Sequence, residues 1–485
     1  MASSPSSSSS SSSSSILSLF TLLSLLTLSS PASTTQTTIT LSLLSPPTKP
    51  PPTTNPWQRL NHLTSSSIAR AHHLKHPHKK NSSLTEIPLS PHSYGGYSLS
   101  LGFGTPPQTL SLLLDTGSSL VWVPCTTHYM CDKCNFSGTN PTNTSTFIPK
   151  QSSSAKILGC KNPKCEWVAG PAVRAQCSTK ICPPYGVVYG SGSTSGILLS
   201  ETLDLPEGKS VEDFVLGCSI VSTSQPSGIA GFGRGPESLP AQMGLEKFSY
   251  CLVSHRFDDE PVSSDLILVG GSLTGKNKTK EGLSLNNSSV RTSLRNETKS
   301  VLNYTPLFKN KLGTNSAYEE YYYVHLRKIT VGGKKVAIPY NLLVPGSDGN
   351  GGTIVDSGTT FTFMERKAYE AVAREFEMQM AQYSRDADVE NQSGFGPCYN
   401  ISGGKQVIFP EFIFHFKGGA KMALPLADYF SLIGGPTVVC MTIVTGIDGV
   451  TGGPSIILGN YQQQDFYLEY DLEKERLGFR KQICK

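Results

Sequence analysis

Short apolar runs separated by turn residues recur along most of the chain, the pattern of a mostly β protein. Tyr97-Ser98-Leu99-Ser100-Leu101 alternates with period two, as a half-buried strand does, and Gly102 to Pro107 turns it into the next run. That run, Leu112-Leu113-Leu114, reads as a buried strand that stops at Asp115 and a Thr116-Gly117-Ser118 turn. Tyr185 to Leu199 predicts a β-hairpin, two strands about a Gly-Ser-rich turn. Strand character returns at Tyr304 to Phe308 and at Tyr321 to Val331. The clearest helix follows residue 356, where Val372, Phe376, Met380 and Tyr383 share one face among Glu, Arg and Gln.

An acid at the end of a buried strand is costly unless it is hydrogen bonded or put to use. A lone Asp-Thr-Gly would nevertheless be read as a turn aspartate capping its own loop. A second copy changes that reading. Thr353-Ile354-Val355-Asp356-Ser357-Gly358-Thr359 repeats the element 241 residues later. Each copy is followed by an apolar-apolar-Gly element, Gly228-Ile229-Ala230-Gly231 after the first and Ser455-Ile456-Ile457-Leu458-Gly459 after the second. The final glycines stand 116 and 103 residues beyond their aspartates. This repetition implies a duplicated unit, with two related lobes presenting Asp115 and Asp356 to a shared cleft.

Composition alters the picture mainly at the N-terminus. The formal charge of +5 comes from residues 1–93, which hold six Lys or Arg and one acid; the remainder is balanced, and no nucleic-acid partner is expected. Residues 1–32 read as a signal peptide, with a 13-residue apolar core, Ile16 to Leu28, ahead of small residues. That core is shorter than the roughly 20 residues a membrane span needs. No Lys or Arg precedes it, so a plastid transit peptide is the alternative; ten N-x-S/T sequons and the cysteines favour secretion. Residues 33–93 are Ser/Thr/Pro-rich and then basic, with six of the ten histidines. They read either as a disordered linker or as a propeptide, a cationic segment that covers a carboxylate site at neutral pH and leaves it in acid. Residues 94–271 form a first lobe carrying a cysteine-rich insert, 125–182, judged too polar for a core. Residues 272–303 form a polar, sequon-bearing inter-lobe loop, and 304–485 a second lobe without an apolar C-terminal anchor.

The cysteines number twelve: Cys125, Cys131, Cys134, Cys160, Cys165, Cys177, Cys182, Cys218, Cys251, Cys398, Cys440 and Cys484. Zinc is the rival reading for Cys131-x-x-Cys134, but no second pair at ligand spacing accompanies it, so disulfides are favoured. Neither a metal nor a cofactor is expected. Gly190, Gly192 and Gly196 miss the dinucleotide-binding spacing, and Gly270 to Asn277 has Asn where a phosphate loop needs Ser or Thr. Neither G-x-S-x-G nor H-E-x-x-H occurs, and His128, His255, His325 and His415 are isolated.

Both turns, the hairpin and both apolar-Gly elements occur in an order and spacing that resemble the pepsin-like aspartic proteases from about Tyr94 to the end. The cysteine-rich insert after Trp122 and Phe248-Ser249-Tyr250-Cys251-Leu252 resemble the plant nepenthesin/nucellin-type branch. The resemblance implies a bilobal, mostly β fold and a secreted, glycosylated, monomeric endopeptidase that is made as a zymogen and acts in acid on extended polypeptides. Its place would be the apoplast, the cell wall or the vacuole. It implies Asp115 and Asp356 as the catalytic pair, Ser118, Thr359, Gly117 and Gly358 as their supports, Tyr189 as the flap tyrosine and Trp122 behind it. It further implies the pairs Cys160–Cys182, Cys165–Cys177, Cys398–Cys440, Cys251–Cys484, Cys125–Cys131 and Cys134–Cys218. The rival is an inactive binding protein of the same fold that inhibits cell-wall glycoside hydrolases, but such relatives lack a complete dyad.

Overall fold

The computed structural model describes residues 38–44, 56–75, 95–134, 145–178, 180–189, 192–225, 227–254, 263–270, 274–275, 301–311, 316–402, 407–446 and 452–484. The signal-peptide reading and most of the 272–303 loop, with four of the sequons, therefore lie outside the described residues. The linker-or-propeptide region contains two regular elements, strand β1 (Thr38–Leu44) and a 20-residue helix α1 (Pro56–Lys75).

The first lobe grows from β2 (Ser98–Phe103) and β3 (Gln108–Asp115), an antiparallel pair in which Leu99 lies opposite Leu112. Leu110, Leu112 and Leu114 are buried, the period-two consequence of packing one face on a core. After β4 (Trp122–Pro124), the hairpin strands are β5 (Tyr185–Tyr189) and β6 (Gly192–Leu205), with β7 (Lys209–Thr223) beside β6. Strand β8 (Gly228–Gly231) runs parallel to β3, setting Gly231 opposite Asp115, and antiparallel to β4. The insert does carry apolar packing: Leu158, Val168 and Val173 join Trp122, Tyr185 and Tyr189 in a small core of their own. Its few apolar residues are spread among polar ones, so a sequence window averages them away.

Strands β9 (Leu245–Cys251) and β10 (Ser263–Gly270) lead towards the second lobe, and β11 (Asn303–Phe308) begins it. There the first lobe's arrangement recurs. Strand β12 (Thr353–Val355) delivers Asp356, and β13 (Phe363–Met364) follows the turn. Helix α2 (Arg366–Gln379) buries Ala368, Val372, Ala373 and Phe376. Met380 closes the helix and Tyr383 lies beyond it, so the helix ends a turn earlier than the sequence pattern suggests, although both side chains still pack on the core. Helix α3 (Ala387–Ser393) is capped by the Asp386 side chain. Strand β14 (Ile456–Leu458) pairs parallel to β12 and antiparallel to β13, as β8 does with β3 and β4. The lobes are joined where β9 pairs with β15 (Phe466–Asp471), which pairs with β16 (Arg476–Lys481) and through it with β11. At this seam Phe248 stacks on Tyr470 at 4.4 Å between ring centres, with Phe232 and Tyr322 edge-on to Phe248.

Cys251–Cys484 and Cys398–Cys440 bond as the resemblance implies, but the other four pairings differ. Cys125 joins Cys218, because β4 lies along β7 with Val123 beside Cys218, leaving Cys131 to join Cys134. Within the insert the bonds are Cys160–Cys177 and Cys165–Cys182, not the reverse. Phe248 is fully buried at the seam. Phe248→Ala is expected to cost about 3–5 kcal/mol, read as a lower urea midpoint; an unchanged midpoint would show that the seam tolerates the void.

Candidate active site

Parallel pairing carries each apolar strand inward and ends it at an acid. Asp115, at the end of β3, and Asp356, just after β12, are both fully buried. The two turns are hydrogen bonded to each other across the lobes. Thr116 N donates to Ser357 Oγ (3.1 Å) and Ser357 N donates to Thr116 Oγ1 (2.9 Å). The hydroxyls in turn donate to the opposite strands, Thr116 to Val355 O and Ser357 to Leu114 O. Each carboxylate has a matching set of donors. Gly117 N (2.9 Å) and Ser118 Oγ (2.5 Å) donate to Asp115; Gly358 N (3.0 Å) and Thr359 Oγ1 donate to Asp356. Glycine is required in both turns because the opposite carboxylate leaves no room. A Cβ on Gly117 would lie 2.6 Å from Asp356 Oδ1, and one on Gly358 would lie 2.4 Å from Asp115 Oδ1.

Beside the hairpin turn, Trp122 Nε1 donates to Tyr189 Oη at 2.8 Å, and both side chains are buried. A column of polar side chains supports the dyad from below. Tyr250 Oη donates to Gln463 Oε1, and Gln463 Nε2 donates to Leu458 O and, at 3.5 Å, to Asp356 O. A larger cavity, about 330 Å³, is lined by Phe308, Lys309, His325, Arg327, Tyr340 and Lys417 among others, and none of its residues belongs to the dyad or its supports.

One residue absent from the sequence-based site occupies its centre. Arg70, on α1, places Nη2 2.5 Å from Asp115 Oδ1 and Nε 3.1 Å from Asp356 Oδ2. Its helix lies in the cleft. Leu60, Leu63, Ala71 and Leu74 are buried with Phe361, Phe363, Phe395 and Ile433 in one apolar cluster, and Phe361 N donates to Ser67 Oγ. The residual gap beside Arg70 and the second turn is about 20 Å³, room for roughly one water. The signal for this helix was present: Leu60, Leu63, Ala71 and Leu74 fall on one helical face, and Pro56 stands at its first position.

Charge follows from this geometry. Burial disfavours the guanidinium charge, yet Asp115 and Asp356 more than offset it, so Arg70 titrates above its already high value. Burial and the neighbouring Asp356 raise Asp115, against the pull of Arg70, Ser118 and Gly117. Burial also pushes Asp356 upward, but Arg70, Thr359 and Gly358 together hold it below the usual carboxylate range. Two adjacent carboxyls thus have pKa values driven apart, the condition for one to keep a proton while the other is ionised.

Comparison with known proteins agrees with this geometry: the chain belongs to the pepsin-like aspartic protease family. The family models that match it are described as xylanase inhibitor N-terminal, over residues 97–271, and xylanase inhibitor C-terminal, over 321–481. A probable aspartyl protease of Arabidopsis thaliana is 33% identical, the match covering 82% of this chain and 84% of that protein. Nepenthesin-2, an aspartic proteinase of Nepenthes gracilis, is 32% identical over 80% of this chain and 78% of its own length. Among solved structures, conglutin gamma, a basic 7S globulin from lupine seeds, aligns with a TM-score of 0.56 at 21% identity, covering 81% of this chain and 93% of that one. This last likeness concerns the fold alone.

Ser357→Ala removes two inter-lobe hydrogen bonds and leaves Thr116 N and Leu114 O without this partner. A loss of about 1–3 kcal/mol is expected, measured by thermal denaturation; Ser357→Thr, which keeps the hydroxyl, should recover most of it.

Proposed function

We propose that the protein is an aspartic endopeptidase made as a latent precursor, in which α1 covers the dyad until acid releases it. The observation that carries this reading is the pairing of two fully supported carboxylates with a single arginine from the chain's own leading segment. With α1 gone, the ionised member of the pair would act as base on a water between them. The water oxygen would attack the scissile carbonyl carbon while the protonated member donates to the carbonyl oxygen. Collapse of the tetrahedral intermediate would break the C–N bond, with a proton passing to the departing amine. The hairpin bearing Tyr189 would close over an extended peptide and exclude water. The apolar stretch at residues 16–28, the sequons and six disulfides support export, and thus a place in the apoplast, cell wall or vacuole.

The rival reading, a pepsin-fold inhibitor of glycoside hydrolases, draws on the names of the matching family models. The complete set of donors on each aspartate favours the protease, since an inhibitor has no need of an oriented carboxylate pair. Casein or haemoglobin digestion in acid, with and without pepstatin, separates the two readings; well-folded protein that is inert there favours the inhibitor. Asp115→Asn should lower cleavage by about 1,000-fold or more with folding intact.

Latency has a definite sign with pH. Asp356 is held below its usual value near 3.8 in the covered state. Its ionised form therefore stabilises docking of α1 above that value, and the stabilisation is lost as pH falls through the depressed one. Asp115, raised, takes up its proton first. Arg70 stays charged throughout; the titratable groups around the pair, among the described residues, include Tyr189, Tyr250, Tyr321 and Tyr470, with His73 near the Tyr189 ring and the Lys75–Glu365 pair at the end of α1. The precursor should be latent at neutral pH and shorten itself below about pH 4. Arg70→Met should weaken docking by about 3–5 kcal/mol by leaving buried charge unpaired, so that activity appears without acidification. Equal activity of the unaltered precursor at neutral and acid pH would contradict latency.

A further inference from the structure

A second cation of α1 is buried, and nothing in covering the dyad requires it. Lys75, at the end of the helix, has no exposed side-chain surface. Its Nζ lies 3.1 Å from Glu365 Oε2, donates to Pro454 O at 3.2 Å, and sits 5.6 Å from the centre of the Phe363 ring. A lysine in such a place is expensive unless carboxylate, carbonyl and ring are already positioned to receive it.

The pocket is positioned by the second lobe, independently of the helix. Phe363 lies on β13, paired with Ile457 of β14. Glu365 directly precedes α2; its backbone N donates to Ser455 O at 2.8 Å, and Ser455 Oγ donates back to its Oε2 at 3.1 Å. Pro454 is the next residue on that same segment. Strand β14 lies between β13 and β12, the strand that delivers Asp356, so the pocket and the dyad share one scaffold. The wall around it, Phe361, Phe363 and Tyr321, is the wall that α1 covers. When the helix leaves, the carboxylate, the carbonyl and the aromatic face remain and only the ammonium is lost.

We infer that this pocket is a substrate subsite for a cationic side chain, lysine or arginine, and that Glu365 determines that preference. The inference rests on the protease reading. Arg70 marks the dyad, and five helical residues to Lys75 rise about 7.5 Å. An extended peptide covers that distance in about two residues. The favoured basic residue therefore stands two to three positions from the scissile bond.

The test uses the acid-processed protein and a mixed-sequence peptide library, with cleavage sites read by mass spectrometry. Two fluorogenic peptides follow, identical except for Lys or norleucine at the favoured position. Lysine should raise kcat/KM about 10-fold or more over norleucine at about pH 5. Glu365→Gln should bring that ratio close to one while leaving norleucine-peptide cleavage unchanged, which also reports an intact fold. Glu365→Lys should shift the preference to a glutamate peptide. A library cut without enrichment of Lys or Arg at any position, or a ratio unaltered by Glu365→Gln, overturns the subsite and leaves the protease standing. A library left uncut overturns both.

Discussion

Two carboxylates buried side by side cannot both keep their charge in a medium of low dielectric without a cation between them. Asp115 and Asp356 are held in that predicament by backbone. Each ends or follows a strand that is locked parallel to another, and the two turns are hydrogen bonded to each other through Thr116 and Ser357. Arg70 resolves it in the covered state, bridging both acids with one planar guanidinium. A lysine would offer a single point charge at that place, whereas arginine presents several donors in a fixed fork. Fold and site electrostatics thus meet in one constraint, which α1 relieves here through Arg70.

The dyad was legible in the sequence because the evidence for it is repetition. An aspartate after an apolar run is ambiguous once, and much less so when the run, the acid, the glycine and a later apolar-Gly element all recur. The hydroxyls of Ser118 and Thr359 were readable for the same reason. The cross-lobe roles of Thr116 and Ser357 were not, since a residue inside a turn does not reveal that its partner lies 241 positions away. Gln463 carries no signal in sequence either: an amide beneath the dyad is just one more polar residue until the fold brings it there.

Helix α1 was hidden by composition. Its four buried apolar residues are diluted by serine and histidine within a Ser/Thr/Pro-rich stretch, and its stability comes from the cleft it fills. Disulfide connectivity was hidden for a different reason. Cys160 and Cys165 are near neighbours in sequence, as are Cys177 and Cys182, so either crossing closes loops of similar length and chain entropy hardly distinguishes them. Only the path of the backbone decides.

Strand β1 has a consequence of its own. It pairs over its whole length with β10 and at its end with β2, thus splicing two neighbouring strands of the sheet. A cut after α1 detaches this splice from the body of the chain but leaves the gap it occupies. Unfilled, the gap would present a row of bare amides and carbonyls, a template for pairing with a foreign strand. If the chain matures by such a cut, as proposed, the slot either keeps the old strand as a separate peptide or accepts a new one from the freed end.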